Sequence, residues 1–213
     1  MRVVLTCVLI GFLALAALVS CRWVLTRVDA LGRIAPFPRI SVGLSLVAAV
    51  GCAVPLVLHA QLENRLADAA SEVAGVPVQV HCQTVGEAFV DAGVELGYVR
   101  WGADGVPERK TLIKSHVCGD LRGWLRSSKA TPSLDQVVAV HVLTHEAMHM
   151  AGLTNEAAAE CAAMQRDQRT AVLLGASPAE GLALARRYWT EVYPNMPDGY
   201  RGECNPGVAI TGG

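Results

Sequence analysis

Apolar positions along this chain follow two different rules. In residues 3–21 and again in 40–60 they run on with no charged residue among them. A run of roughly 20 such residues, at 1.5 Å rise each, can cross a hydrocarbon core of roughly 30 Å. The second run contains Gly43, Gly51 and Pro55, which membrane helices tolerate. Beyond residue 60 the apolar positions become periodic. Leu62, Leu66, Ala69, Ala70 and Val73 share one helical face, so 61–74 predicts a helix continuing the second run. Residues 76–82, 95–101 and 111–117 read as three short strands, and 119–126 as a short helix.

The helix signals then sharpen. Ser133 with Gln136 three positions on is a capping-box pair, predicting a helix from 134 to about 150, with Gly152 just past its end. Asn155 can cap a second helix over 156–174, which Gly175 terminates. Ser177-Pro178-Ala179-Glu180 opens a third, ended by Pro194. The expected fold class is α+β. It comprises an anchor over 1–60 with two transmembrane helices (3–21 and 40–60), then a domain over 61–213 with a short sheet and a helix hairpin.

Charge adds an orientation. Arg22, Arg27, Arg33 and Arg39 against Asp29 make the segment between the apolar runs cytoplasmic by the positive-inside rule, with the following domain extracytoplasmic. Arg2 argues weakly the other way. Trp23 sits where an interfacial aromatic belt forms. The first run also reads as a cleaved signal peptide, or as a lipoprotein signal modified at Cys21 after Leu18-Val19-Ser20. The first 60 residues hold five of the 18 basic and one of the 19 acidic residues. The remainder is therefore mildly acidic, with no basic stripe to track a phosphate backbone, which argues against nucleic acid as a partner.

Cys7, Cys21 and Cys52 fall in or beside the apolar runs and read as small apolar residues. Cys82, Cys118, Cys161 and Cys204 form an even set in the exported portion and predict two disulfides. Sequence permits three pairings; joining neighbouring elements favours Cys82–Cys118 and Cys161–Cys204.

The chemistry lies on the helix hairpin. His145 and His149 are four residues apart, so a helix stacks both imidazoles on one face, within reach of one tetrahedral ion. Glu146 is offset from their line and can take a proton from water at the ion's open position. This is the HExxH pattern of zinc peptidases. The short 151–155 connection folds the next helix back antiparallel, which brings Glu156 near His149 and Glu160 toward His145. One carboxylate can be the third ligand, and the other can accept from a ligand imidazole. His141 reads as a solvated second-face histidine and His116 as a surface residue on an edge strand. Tyr193 and Tyr200 read as packing residues, and Trp101, Trp124 and Trp189 as core. A metzincin-like motif is disfavoured because its third ligand would be Asn155, a poor zinc donor.

Over about twenty residues, from His141 to Cys161, these features resemble the gluzincin zinc peptidases. Glu156-Ala157-Ala158-Ala159-Glu160 is similar to the E-x-x-A-D segment of the HtpX and CAAX-protease type. The chain also resembles compact minimal gluzincins and HExxH proteins of actinobacteria. The resemblance implies Glu156 as third ligand and Glu160 as its outer partner. The gap between the two motifs is shorter than in that group, and Glu replaces Asp at the second acid. The implied cofactor is Zn2+, and the implied partners are a peptide or protein substrate and the membrane. The alternative is a zinc-stabilised, non-catalytic binding or structural module on the same anchor.

Overall fold

The computed structural model describes residues 2–28, 31–88, 93 and 95–205; Asp29, the acid between the apolar runs, lies outside them. The fold is α+β, with eight α-helices and one three-stranded sheet among the described residues. The chain divides into two compact units, Met1–Gln61 and Leu62–Gly213.

The first unit contains helix α1 (Arg2–Thr26) and the first part of helix α2 (Arg39–Ala74). Both helices are long and apolar enough to cross a membrane. They carry their large apolar side chains outward: Val3, Leu25 and Ile40 are each at least 75% exposed. That is the inverse of a water-soluble surface. From the last turn of α1, Trp23 donates through Nε1 to the Ala35 carbonyl at 2.9 Å and meets Phe37 edge to face. Helix α2 continues unbroken past Pro55, as the apolar face of 61–74 requires.

The second unit is built on the remaining turns of α2, whose Leu62, Leu66, Ala69, Ala70 and Val73 are all buried. Strand β1 (Gln79–Cys82), a helical turn α3 (Val85–Ala88), strand β2 (Gly97–Trp101) and strand β3 (Pro107–Ile113) follow. The sheet order is β1-β3-β2, with β1 parallel and β2 antiparallel to β3. Helices α4 (Ser115–Arg126), α5 (Leu134–Met150), α6 (Glu156–Met164), α7 (Asp167–Leu173) and α8 (Pro178–Arg187) come next, then a π-helical turn (Tyr188–Val192) and a 3-10 turn (Tyr193–Asn195). The core includes Leu66, Ile113, Leu121, Trp124, Leu143 and Leu184, all fully enclosed. Burying each such side chain contributes about 1.5–3 kcal/mol.

Five expectations are corrected. The third strand is 107–113, not 111–117, because the β2–β3 hairpin turns at Gly102–Val106, where Gly105 has φ +73. Helix α4 therefore starts at Ser115 rather than 119, and Val117, Cys118, Leu121 and Trp124 form its buried face. His116 consequently lies exposed on this helix and not on an edge strand. The helix expected over 156–174 breaks between α6 and α7, and the last one gives way at Tyr188 to the π turn.

The two expected disulfides are present. Cys82–Cys118 joins β1 to α4, and Cys161–Cys204 joins α6 to the C-terminal segment. Cys7, Cys21 and Cys52 are unpaired.

Candidate metal centre

Helix α5 carries the site because its two ends are tightly set. Gln136 N donates to Ser133 Oγ at 3.2 Å and Ser133 N to Gln136 Oε1 at 3.1 Å, the reciprocal capping box. At the other end Gly152, with φ +107, lets Gly152 N reach the His149 carbonyl and Leu153 N the Met148 carbonyl. Those two bonds make a Schellman cap. From Val137 to Met150 every residue but Val138 is buried. The Asn155 side chain accepts from Ala158 N at 2.9 Å and starts α6. The short connection returns α6 along α5, so the first turn of one meets the last turn of the other.

This places three donor atoms together. His145 Nε2 and His149 Nε2 are 2.9 Å apart, and Glu156 Oε2 is 3.1 Å from the first and 3.2 Å from the second. Which nitrogens carry protons follows from their other neighbours. His149 Nδ1 is 2.7 Å from the Leu153 carbonyl, which only accepts, so Nδ1 donates and the neutral ring has its lone pair at Nε2. The Gly152 cap holds that carbonyl in place. His145 Nδ1 lies 3.0 Å from Glu160 Oε2, and the same tautomer results. Two nitrogen lone pairs and a carboxylate oxygen thus face one point, an arrangement that repels unless a cation sits among them. Donors on one tetrahedral ion at roughly 2.0–2.1 Å stand roughly 3.3 Å apart. The triangle needs to open by only a few tenths of an ångström, and its N,N,O donors suit a divalent metal.

Glu146 lies beside this triangle, buried against β2 and β3. Thr111 Oγ1 is 3.3 Å from its Oε2. A Cβ at Gly97 would lie about 3.0 Å from its Oε1, so any larger residue there would press the carboxyl aside by a few tenths of an ångström. Burial raises the Glu146 carboxyl to about 7, against the opposing pull of His145 and Thr111. The triangle, Glu146 and Gly97 open onto a cleft of about 530 Å³ with apolar walls that include Leu96, Val138, Val142, Val192 and Met196.

Glu160 turns inward instead. Its Oε2 meets His145 Nδ1 and His141 Nε2, both at 3.0 Å, and its Oε1 accepts from Tyr188 Oη at 2.6 Å. Burial alone would raise this carboxyl, but the His141 charge and the three donors hold it well below the usual carboxylate range. His141 is a correction: it is buried, not solvated, and its Nδ1 lies 2.8 Å from Asp167 Oδ2. Desolvation lowers its pKa, yet the carboxylates of Asp167 and Glu160 push it up to about 10. His141, His145 and Glu160 also gather donor atoms closely enough for an ion. There, however, each histidine nitrogen faces a carboxylate, so protons already bridge them.

No protein-family model, curated protein or solved structure matches this chain.

The candidate residues read from sequence thus separate into two sets. His145, His149 and Glu156 converge on one point, and Glu160 stands behind His145. Cys161 is committed to its disulfide. Trp101 is a second correction: it is 42% exposed at the cleft, with its ring edge-on to His149 at 6.1 Å. Tyr200 lines the cleft with its ring 5.8 Å from His145, whereas Tyr193 is buried and hydrogen-bonded to Gly202. Sequence reasoning did not single out Asp167, Tyr188 or Gly97. Only Gly97 left a signal, a glycine inside a strand, which marks a close approach.

Proposed function

We propose that this chain is a membrane-anchored, zinc-dependent peptide-bond hydrolase with a zincin-like domain. The observation that carries the reading is the meeting of two imidazole lone pairs and a carboxylate beside a separate buried carboxylate, all opening on one cleft. His145, His149 and Glu156 would hold the zinc. When bound, the ion supplies Lewis acidity, which makes water nucleophilic at neutral pH and polarises a peptide carbonyl. Glu146 would accept the proton that the attacking water loses and return it to the leaving amine. Glu160 accepts from His145 Nδ1 and fixes that ring's tautomer. Strand β2 is an edge of the sheet and lines the cleft, so its outer side is where an extended peptide would pair.

The two disulfides support an oxidising, extracytoplasmic setting for residues 61–213, in line with the arginine-rich segment between the helices on the cytoplasmic side. The test is Glu146→Gln in the full-length protein. Zinc content is expected to stay at the wild-type level while cleavage of a quenched peptide library falls about 10²–10⁴-fold. Wild-type turnover in Glu146→Gln with zinc bound would overturn the proposal. A zinc-loaded wild type with no turnover on any library would leave the non-catalytic module as the better reading.

A further inference from the structure

Beside the metal triangle and Glu146 lies a buried polar cluster that neither uses. Between α5, α7 and the π turn, His141 sits with a carboxylate on each ring nitrogen: Asp167 Oδ2 at 2.8 Å and Glu160 Oε2 at 3.0 Å. Carboxylates accept, so both nitrogens donate. The ring is stacked on Tyr188, centroids 3.5 Å apart and planes 13° apart. The Tyr188 hydroxyl in turn donates to the other oxygen of Glu160. His141 is 3% exposed, Glu160 1% and Asp167 0%. Burying two carboxylates is costly unless each is paired and hydrogen-bonded. A protein seeking only stability gains little from such a cluster, because apolar side chains of similar size fill the space as well or better. What the cluster does achieve is geometric. Glu160 is gripped on Oε1 by Tyr188 and on Oε2 by His141, which leaves it one orientation in which to meet His145 Nδ1.

We infer that Asp167, His141 and Tyr188 form a positioning unit that acts through Glu160, aiming its carboxylate at His145 and so setting how strongly the site holds its metal. The break between α6 and α7 has a role in this picture, because it brings Asp167 at the start of α7 to His141 Nδ1. His141 lies one turn before His145 on α5 and does not join the metal triangle. The unit is a hydrogen-bonded line from Asp167 through His141 and Glu160 to a ligand imidazole. This inference rests on the proposed metal reading, and its test separates the two.

The experiment measures Zn2+ affinity of the full-length protein in detergent by competition with a chelator, together with the visible spectrum of the Co2+-loaded form. Partners outside the ligand set typically contribute about 10–100-fold in metal affinity. His141→Gln is expected to weaken Zn2+ binding by about 10-fold or more and to shift the Co2+ bands. The near-isosteric Asp167→Asn and Tyr188→Phe should move both readouts in the same direction by less. In a Glu160→Gln background, His141→Gln should add no more than about twofold, since residues that act through one another are not additive. Leu121→Ala, a core change on α4 outside the cluster, controls for general destabilisation and should leave the affinity of the folded protein unaltered. Wild-type affinity and spectrum in His141→Gln and Asp167→Asn would overturn the inference, as would effects of His141→Gln and Glu160→Gln that multiply in full. A wild type that binds no Zn2+ would overturn the metal reading itself, and the inference with it.

Discussion

Two clusters of histidine and carboxylate lie on opposite faces of the small sheet, and by composition they look alike. On the outward face His81 is held between Glu63 Oε1 on Nδ1 and Glu87 on Nε2, both at 3.1 Å. On the inward face His145 and His149 share Glu156. The difference lies in direction. His81 spends both nitrogens on separate carboxylates lying on opposite sides of its ring, and Glu63 Oε1 also accepts from Cys82 N at 2.8 Å. Every polar atom of that imidazole is satisfied by protein. At the inward cluster the Leu153 carbonyl and Glu160 take the Nδ1 protons, which leaves both Nε2 lone pairs facing Glu156. The proposed metal site is therefore distinguished by two Nε2 atoms and a carboxylate that converge on one point, not by a count of histidines and acids. His141, bridged on both sides, resembles His81 in this respect more than it resembles its neighbour His145.

Removing one ligand should break the contrast most sharply. His149→Ala is expected to weaken Zn2+ binding on the order of a thousandfold or more, beyond the 10–100-fold typical of outer partners, when measured by chelator competition. Loss of only a few-fold would mean that the inward cluster is as self-satisfied as the outward one. Next in size is Gly97→Ala. The new methyl must displace Glu146, so hydrolysis is expected to fall about 10–100-fold, within the range for a misplaced proton acceptor, while zinc content holds. Unchanged turnover would detach β2 from the positioning of Glu146.

Acid and base should act on the two clusters in opposite senses. In the metal-free protein burial lowers the His145 pKa, but the hydrogen bonds to Glu156 and Glu160 raise it above the ordinary 6.5. A raised folded pKa contributes stability that is full below 6.5 and is lost as pH rises through the folded value. The metal-free site therefore loses its support at high pH, where an ion has no proton to displace. The zinc-induced rise in Tm should be larger at pH 8.5 than at pH 6, and an equal rise at both would contradict this. On the outer face burial pushes Glu87 up, but hydrogen bonds from Thr84 and His81 bring it down to about 2 from 4.5. Its contribution is present above 4.5 and fades as pH falls toward 2. The smallest effect belongs to His81→Ala, expected to cost about 0.5–1.5 kcal/mol in chemical denaturation with no change in Zn2+ affinity. Altered affinity there would show that the two faces are coupled.

How much of this was legible in the sequence depended on locality. The capping box at Ser133, the cap at Asn155 and the glycine at 152 lie within a few residues of the elements they set, and the helix hairpin followed from them. Because the hairpin was readable, so was the approach of Glu156 and Glu160 to the two histidines. The His141 network was not, since it joins residues 19, 26 and 28 positions apart. No periodicity encodes which way α7 turns, and the α6–α7 break contains neither glycine nor proline. The strand shift has a similar cause. Residues 111–117 are apolar enough for a strand, but the turn at Gly102–Val106 sets the register, and Val117 is buried just as well from a helix. A tryptophan reads most simply as core from sequence; only the packing of β2 against α5 shows Trp101 at the cleft.

X-ray absorption of the zinc-loaded, full-length protein tests the central claim most directly. The account predicts one zinc per chain, with two imidazole nitrogens and one carboxylate oxygen from the protein at about 2.0–2.2 Å, and solvent completing the set. Sulfur donors, four protein donors closing the site, or a chain that takes up no zinc would contradict it.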